Sequence, residues 1–129
     1  MKPSVLVLIA ENEEEIRAFL QATFEDGGFE VLLAATAEEA MAAIDAKHDL
    51  VRALVTDVHF GTDITGWDVA RHARELNADL PVIYMTGGGG NDWAALGVPN
   101  SVLITKPFAP AQMLTAVSQL LNVGNTPGI

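Results

Sequence analysis

The sequence predicts an α/β fold in which five β–α units follow one another and form a parallel sheet with helices on both faces. Short runs rich in valine, leucine and isoleucine recur along the chain, and most lack the polar alternation of a half-exposed strand. Such runs are typical of strands that are buried on both faces. Segments with a helical spacing of apolar residues lie between them. Because strands and helices alternate along the chain, the sheet is expected to be parallel.

The chain is expected to form one domain, since it has 129 residues and half of them are hydrophobic. It contains no cysteine. A chain of this length buries enough apolar surface to fold without a disulfide or a structural zinc ion. We expect the domain to cover residues 1–123 and residues 124–129 to form a short flexible tail.

The predicted elements alternate along the whole chain. Strands are predicted, in order, at residues 4–10, 29–34, 53–56, 81–85 and 102–105. Helices are predicted at residues 13–25, 38–47, 67–76 and 91–96, and a last helix begins at Pro110. In the first helix the apolar face consists of Ile16, Phe19, Leu20 and Thr23. In the third it consists of Trp67, Ala70, Ala73 and Leu76. In the last it consists of Met113, Leu114, Val117, Leu120 and Leu121.

Seventeen acidic side chains against seven basic ones give the chain a net charge of −10. An acidic chain lacks the basic surface that binding to phosphate backbones requires, so we expect no nucleic-acid partner. The longest hydrophobic run, residues 5–10, is far shorter than the roughly 20 residues that span a bilayer. Since no signal-peptide pattern follows this run, we expect a cytoplasmic protein without a membrane partner.

Polar residues follow four of the five predicted strands, at the edge where parallel sheets bind ligands. These residues are Glu11 and Asn12 after the first strand, Asp57 after the third, Thr86 after the fourth and Lys106 after the fifth. Acidic residues at such positions often only cap helices, and this interpretation stays open for Glu11 taken alone. It fits Asp57 poorly because a loop comes next. The glycines at 87–90 fit equally a flexible connector or a loop that approaches a phosphate.

Over essentially its whole length the sequence resembles the receiver domain of two-component response regulators. The resemblance is carried by the turn Glu11-Asn12-Glu13, by Asp57, by Gly66 at the start of the third helix, by Thr86 and by Lys106-Pro107-Phe108. Each feature is weak alone, but together they occur in the right order at the right strand ends. The resemblance implies a flavodoxin-like, doubly wound (βα)5 fold with a five-stranded parallel sheet of order 2-1-3-4-5.

The resemblance also implies a role for each site residue. Asp57 would be the phosphoacceptor, Lys106 would contact the phosphoryl group and Thr86 would be the switch hydroxyl. A Mg²⁺ cofactor would be held by Glu11, Asn12, Asp57 and the backbone carbonyl of His59, and the Lys106–Pro107 peptide would be cis. The chemistry agrees with these roles, since an ionised carboxylate can attack phosphorus and a hard cation neutralises the negative charge that collects there.

The sequence departs from the family pattern at three places. Asn12 stands where the family has a second carboxylate, and a neutral ligand should weaken Mg²⁺ binding, so that Asn12→Asp tightens it. Leu103 stands where the family has an aromatic switch residue, which makes coupling through a rotating ring unavailable. The segment 59–66 replaces a tight Pro-Gly connection, and the side chain of His59 is expected to be a bystander at the mouth of the site.

Two alternatives stay open. Asp57-Val58-His59 is reminiscent of the Asp-x-His-x-x-Gly motif of cobalamin-binding domains, but the glycine falls one position early, at Gly61, and Lys106 has no place in that motif. Asn12 makes a pseudo-receiver plausible, which is a binding module of the same fold that is not phosphorylated.

We therefore expect a single-domain response regulator that takes a phosphoryl group from a histidine kinase or histidine phosphotransfer protein. It would catalyse its own phosphorylation and dephosphorylation without being a conventional turnover enzyme. No residues are left for an output domain, so the expected output is a contact with a downstream protein.

In the family, partners dock on the face of the fourth helix, fifth strand and fifth helix. That face falls in residues 80–129, which contain only one acid and one base. Trp93 and Phe108 are candidate contacts, and a place in the core fits either of them equally well. We expect a monomer or a weak homodimer.

Overall fold

The computed structural model describes residues 4–88 and 92–125, and along them five strands alternate with five helices. In chain order the elements are β1 (Leu6–Ala10), α1 (Glu14–Asp26), β2 (Glu30–Ala34), α2 (Ala37–Lys47), β3 (Val51–Asp57), α3 (Gly66–Leu76), β4 (Val82–Thr86), α4 (Trp93–Leu96), β5 (Ser101–Thr105) and α5 (Pro110–Asn125). The strands form one parallel sheet of order β2-β1-β3-β4-β5, which confirms the expected fold class and strand order. None of the helices in these residues is long and apolar enough to cross a bilayer.

The winding of the chain reverses between β1 and β3. From β1 the chain adds β2 on one side and then crosses to β3 on the other, so β1 and β3 are neighbours. Ala10, the last residue of β1, lies opposite Thr56, and the next residue of β3, Asp57, lies opposite Met85 of β4. The residues that come after these strands therefore share one edge of the sheet, at the kind of crevice where open α/β sheets bind ligands.

Apolar layers cover both faces of the sheet. On one face Leu8, Leu54 and Tyr84 pack with residues of α2 and α3. On the other face Val55 and Ile83 pack with residues of α1 and α5. Successive residues of a strand point to opposite faces, and both faces are covered. The central strands are therefore apolar at nearly every position, as the sequence pattern indicates.

Helices α2 and α3 both begin with hydrogen bonds between side chains and backbone N–H groups, and at α3 these bonds are reciprocal. At α3, Thr65 Oγ1 accepts from Asp68 N at 3.3 Å and Asp68 Oδ2 accepts from Thr65 N at 2.9 Å. At α2, Thr36 Oγ1 accepts from Glu39 N at 3.0 Å, while Glu39 Oε2 accepts from Ala35 N at 2.9 Å. These side chains satisfy backbone donors that have no partner within the first turn of a helix.

The apolar face predicted for α3 is wrong at its last member. Trp67, Ala70 and Ala73 are buried, but Leu76 is 44 % exposed. Val69, which lies seven residues before Leu76 and on nearly the same side of the helix, is buried. Leu76 is the last residue of α3, so its exposure follows from its place at the end of the helix rather than from its side.

Most element boundaries differ by one or two residues from those expected, and those of β3, α4 and α5 bear on the site or on the expected tail. Strand β3 is longer than the predicted 53–56, because Val51 and Asp57 also pair in the sheet. Residue 91, where the fourth helix was expected to begin, lies outside the described residues. Helix α5 continues to Asn125 and includes the first two residues of the expected tail, since one glycine inside a helix costs only about 1 kcal/mol. The rest of that tail, residues 126–129, lies outside the described residues.

Candidate functional site

Three charged side chains meet at the carboxyl edge of the sheet, beside the winding reversal. Asp57, the last residue of β3, is 4 % exposed, and Glu11, which directly follows β1, is fully buried. Lys106 directly follows β5, and its side chain is 17 % exposed. These residues are distant in sequence and are brought together by the strand order.

The ammonium group of Lys106 bridges the two carboxylates. Its Nζ donates to Asp57 Oδ1 at 2.6 Å and to Glu11 Oε1 at 2.8 Å. Hydrogen bonds between ionised groups are among the strongest in proteins, and buried pairs are screened only weakly by salt. Lys106 thus engages one oxygen of each carboxylate and leaves the other oxygen of each to a different donor.

Asn12 contacts the remaining oxygen of each acid. Its neighbours assign the amide orientation, because only the orientation with the NH₂ group toward the carboxylates lets it donate, to Asp57 Oδ2 at 2.9 Å and to Glu11 Oε2 at 3.2 Å. The opposite orientation would set the amide oxygen against two carboxylate oxygens, which repel it. Glu11 Oε2 also accepts from Glu13 N at 2.8 Å. All four carboxylate oxygens of the pair therefore have a hydrogen-bond donor.

Burial raises the pKa of the Asp57 carboxyl from an ordinary value of 3.8 to about 7. Hydrogen bonding and repulsion from Glu11 add to this rise, and Lys106 opposes it. For Lys106, burial acts to lower the pKa, but Asp57 and Glu11 outweigh burial and raise the pKa above its ordinary value. Lys106 is therefore a cation at neutral pH, and the raised pKa of Asp57 reflects the cost of burying two carboxylates side by side, which Lys106 offsets in part.

Gly66 allows α3 to begin directly against the backbone of Asp57. A Cβ atom at this position would lie 1.8 Å from the Asp57 carbonyl oxygen and 3.0 Å from Val58 Cα, closer than any side chain tolerates. The Gly66 N–H donates to Val58 O at 2.7 Å and fastens the start of the helix to the end of the strand. The resemblance marks Gly66, and the structure supplies the steric reason.

Thr86 ends β4 with its hydroxyl bound to the next loop. Its Oγ1 donates to Gly88 O at 3.0 Å and accepts from Gly88 N at 3.3 Å. Its carbonyl accepts from Lys106 N at 2.7 Å, and the Lys106–Pro107 peptide is cis, as the resemblance implies. Thr86 therefore lies between the charged centre and the segment that leads to α4. The glycines at 89 and 90 lie outside the described residues.

An open cleft of about 220 Å³ leads to the charged centre. It is lined by Asn12, Glu13, Asp57, His59, Met85, Thr86, Gly87 and Lys106. His59 is exposed there. Asp57 belongs to this lining, whereas Glu11 is fully buried behind it, so Asp57 is the carboxylate of the pair that faces the cleft directly.

Phe19 is a residue near the site that sequence reasoning missed. Its spacing assigns it to the buried face of α1, yet it is 42 % exposed. Its ring packs against that of Phe108, with the centroids 6.2 Å apart. Both rings line an apolar cleft of about 450 Å³ beside Lys106. Helical spacing could not reveal this contact, because it depends on where the segment after β5 crosses α1.

The comparison with known protein families agrees with this geometry. Residues 7–118 match the model of the response regulator receiver domain, and this range includes the whole charged centre. The chain therefore belongs to the response regulator receiver domain family. A response regulator receiver protein from Sinorhizobium medicae WSM419 has a similar solved structure, with a TM-score of 0.89 and 37% sequence identity over 92% of this chain and 95% of that one.

Two curated relatives are longer than this chain. The phosphate regulon transcriptional regulatory protein PhoB of Pseudomonas aeruginosa is 32% identical over 120 residues, which are 89% of this chain and 51% of PhoB. The transcriptional regulatory protein CusR of Escherichia coli K12 is 29% identical over 121 residues, 92% of this chain and 52% of CusR. The chain thus spans about half the length of these relatives. The family match also decides between the two motif resemblances, in favour of the receiver domain over the cobalamin-binding domain.

Proposed function

We propose that this chain accepts a phosphoryl group on Asp57 from a phosphohistidine of a histidine kinase or histidine phosphotransfer protein. The observation that carries the proposal is the setting of Asp57, which ends a buried strand, lies 2.6 Å from the Lys106 ammonium and lines the open cleft. Receiver domains are phosphorylated by histidine kinases. The proposal assigns this family chemistry to one carboxylate of the chain.

The residues of the centre suit phosphoryl transfer. An oxygen of Asp57 attacks phosphorus in line and forms an O–P bond, while the N–P bond of the phosphohistidine breaks and its electron pair returns to the imidazole. The product is an acyl phosphate. A phosphoryl group brings further negative charge to two carboxylates, and Lys106 offsets part of it. Its hydrogen bonds to both acids hold its charge in a fixed position.

The donor atoms of the centre fit a magnesium ion, which receiver domains generally use. Glu11, Asn12, Asp57 and the backbone carbonyl of His59 are proposed to hold it, and all four offer the oxygen ligands that Mg²⁺ takes. When bound, the ion neutralises charge on the phosphoryl oxygens. Within residues 4–88 and 92–125 no three His, Cys, Asp or Glu side chains form a group that could hold a metal ion, so the proposed ligand set depends on the Asn12 amide and a backbone carbonyl beside the two carboxylates.

Thr86 is proposed as the switch hydroxyl. A phosphoryl oxygen on Asp57 is a stronger acceptor than the Gly88 carbonyl that Thr86 now contacts at 3.0 Å. Turning toward the phosphoryl group would break both hydrogen bonds between Thr86 and Gly88 and release the segment that leads to α4. Phosphorylation would thereby change the surface around α4 and β5.

We place the contact with a downstream protein on the face of α4, β5 and α5. Residues 80–129 carry only one acid and one base. On this face Trp93 is 37 % exposed and Leu96 is 41 % exposed, and the Trp93 indole N–H donates to Ser101 Oγ at 2.9 Å. An aromatic ring held in place on a surface with few charges suits protein recognition. That the chain acts as a stand-alone receiver stays a prediction, because its curated relatives are about twice as long.

The proposal is tested by measuring the intact mass after incubation with acetyl phosphate and Mg²⁺. We expect the mass of one phosphoryl group to be added to the wild type and to Asp63→Asn, and none to be added to Asp57→Asn. Asp63 is a matched control because it is an exposed aspartate in the loop between β3 and α3.

The same measurement separates the proposal from the pseudo-receiver that Asn12 makes plausible. A wild type that gains no phosphoryl group, or a group that persists in Asp57→Asn, would favour the pseudo-receiver. Repeating the incubation with a phosphorylated histidine phosphotransfer protein tests the physiological class of donor.

A further inference from the structure

We infer that Asn12 is a two-position residue whose amide substitutes for a divalent cation between Glu11 and Asp57 and must rotate before the cation binds. The inference deepens the proposed function and rests on it in one respect, the divalent cation at this acidic pair. The orientation of the Asn12 amide then sets how stable the protein is without the metal and how strongly the metal stabilises it.

Two donors bridge the acidic pair. Lys106 donates to Asp57 Oδ1 and Glu11 Oε1, and the Asn12 NH₂ group donates to Asp57 Oδ2 and Glu11 Oε2 at 2.9 and 3.2 Å. The two carboxylates are thus bridged twice, once by an ammonium and once by an amide. A bridge between two carboxylate oxygens is the task of a cation, and here the partial positive charge of the NH₂ group performs it.

The amide bridge conflicts with metal binding. An amide coordinates Mg²⁺ through its oxygen, never through its NH₂ group. The NH₂ group now faces the oxygens that a cation would bind, so the amide must turn by half a rotation to present its oxygen. The turn sacrifices both hydrogen bonds. Because Asn12 is exposed, it can turn without repacking the core.

A carboxylate at position 12 would behave differently from the amide. Two carboxylates already share one ammonium at this centre. An aspartate at this position would bring a third carboxylate within hydrogen-bond distance of Asp57 Oδ2 and Glu11 Oε2, with no proton between them. Repulsion would destabilise the metal-free protein, and a divalent cation would relieve it. Asn12 therefore stabilises the protein in the absence of metal and weakens its response to metal.

Thermal unfolding without a phosphoryl donor tests this inference, with the wild type, Asn12→Ala, Asn12→Asp and Gln119→Glu compared in chelator. Gln119→Glu is the matched control, since it adds one carboxylate at an exposed position of α5. We expect the melting temperature of Asn12→Ala to fall by about 3 to 6 °C and that of Asn12→Asp to fall further. Gln119→Glu should stay close to the wild type. A wild-type melting temperature for Asn12→Ala or for Asn12→Asp would overturn the inference.

Saturating Mg²⁺ should then raise the melting temperature of Asn12→Asp several times more than that of the wild type. Equal increases for the two proteins would contradict the inference.

The side-chain NH₂ signals of Asn12 provide a second measurement, which would not change with Mg²⁺ if Asn12 had only a structural role. We expect Mg²⁺ to shift them away from their hydrogen-bonded positions in a proton–nitrogen correlation spectrum. Unchanged Asn12 NH₂ signals, in a sample in which the backbone amide signal of Asp57 shifts fully with Mg²⁺, would contradict the inference.

These outcomes are independent of the test of phosphorylation. Phosphorylation of Asp57 together with Asn12 amide signals that Mg²⁺ does not shift would support the proposed function and contradict this inference. Amide signals that shift with Mg²⁺ in a protein that takes no phosphoryl group would support this inference and contradict the proposed function.

Discussion

At the scale of single residues, close packing beside the charged centre restricts which side chains fit, and Gly66 shows this most directly. Gly66→Ala would place a methyl group 1.8 Å from the carbonyl oxygen of Asp57, which is backbone and cannot rotate away. The start of α3 must then move away from β3. We expect a loss of roughly 2 to 3 kcal/mol in the free energy of unfolding, as for overpacked cores, measured by urea denaturation.

Gly87→Ala is the control for this substitution. Gly87 also lies beside the cleft, but a Cβ atom there would meet nothing within 4 Å. We expect it to leave the urea midpoint nearly unchanged. Equal midpoints for Gly66→Ala and the wild type would show that α3 can retreat from β3 at no cost.

The buried phenol of Tyr84 predicts a pH effect that can be observed without mutation, because it is the only tyrosine in the sequence. Burial raises its pKa above the ordinary value of 10, although the hydrogen bond from Val98 N, at 3.0 Å, acts in the opposite direction. Because the folded protein holds the phenol proton more tightly than the unfolded chain does, the protonated phenol stabilises the fold, and this contribution is fully present below pH 10. It is lost as the pH rises through the folded pKa.

Absorbance of the phenolate in the near ultraviolet measures this titration. We expect the midpoint of the folded protein to lie above that of the urea-unfolded chain, and Tyr84→Phe to abolish the signal. Coincident midpoints for the folded and unfolded chain would contradict the prediction.

At the scale of elements, the loop after β3 and the cap of α3 decide how β3 is joined to α3. Thr65 Oγ1 accepts from Asp68 N and donates to Asp68 Oδ2 at 3.0 Å. Thr65→Ala removes both hydrogen bonds and should cost about 1 kcal/mol in the free energy of unfolding. Urea denaturation measures this loss, and Thr65→Ser, which keeps the hydroxyl, should restore most of it.

The pH dependence of the same cap is set by Asp68. The backbone N–H of Thr65 holds the pKa of Asp68 below its ordinary value, and the Thr65 hydroxyl and Arg71 add to this. Stabilisation by Asp68 is therefore present above its ordinary pKa and is lost as the pH falls through the depressed one. The difference in stability between the wild type and Thr65→Ala should shrink in acid, and a difference that stays constant would argue against the capping box.

Helix α4 shows why some elements are harder to predict than others. Within the described part of the chain α4 has four residues, Trp93–Leu96, and none of them is buried. A helix of about one turn has too few positions for a periodic pattern. By contrast, α3 could be predicted in position, because it is long and its face over the sheet is buried. The assignment of Leu76 to that face was wrong because Leu76 is the last residue of the helix and is exposed there.

At the scale of the whole molecule, the distribution of charge separates two parts of the chain. Residues 1–79 carry the entire net charge of −10, and residues 80–129 are neutral. In the fold the neutral part forms β4, α4, β5 and α5, and one edge of the sheet is therefore formed almost without charges. Repulsion between like charges disfavours contacts of acidic partners with the first part. This contrast supports the proposed docking face at α4, β5 and α5.

The sequence by itself determined the class of fold, the approximate position of each strand and the identity of the residues at the strand ends. Apolar runs and helical spacings are local properties that arise from burial on one or two faces, so a sequence shows them directly. The strand order came from the resemblance, because periodicity says nothing about which strands become neighbours.

Only the tertiary structure decided the contacts among Glu11, Asn12, Asp57 and Lys106. It also decided the exposure of Phe19 and the contact that requires glycine at position 66. These features depend on distances between segments that are far apart in the chain, and such distances are set by how the crossover helices pack the strands side by side. The residues of the site could therefore be predicted one at a time. Their hydrogen bonding, and with it the orientation of the Asn12 amide, is a property of the packed sheet.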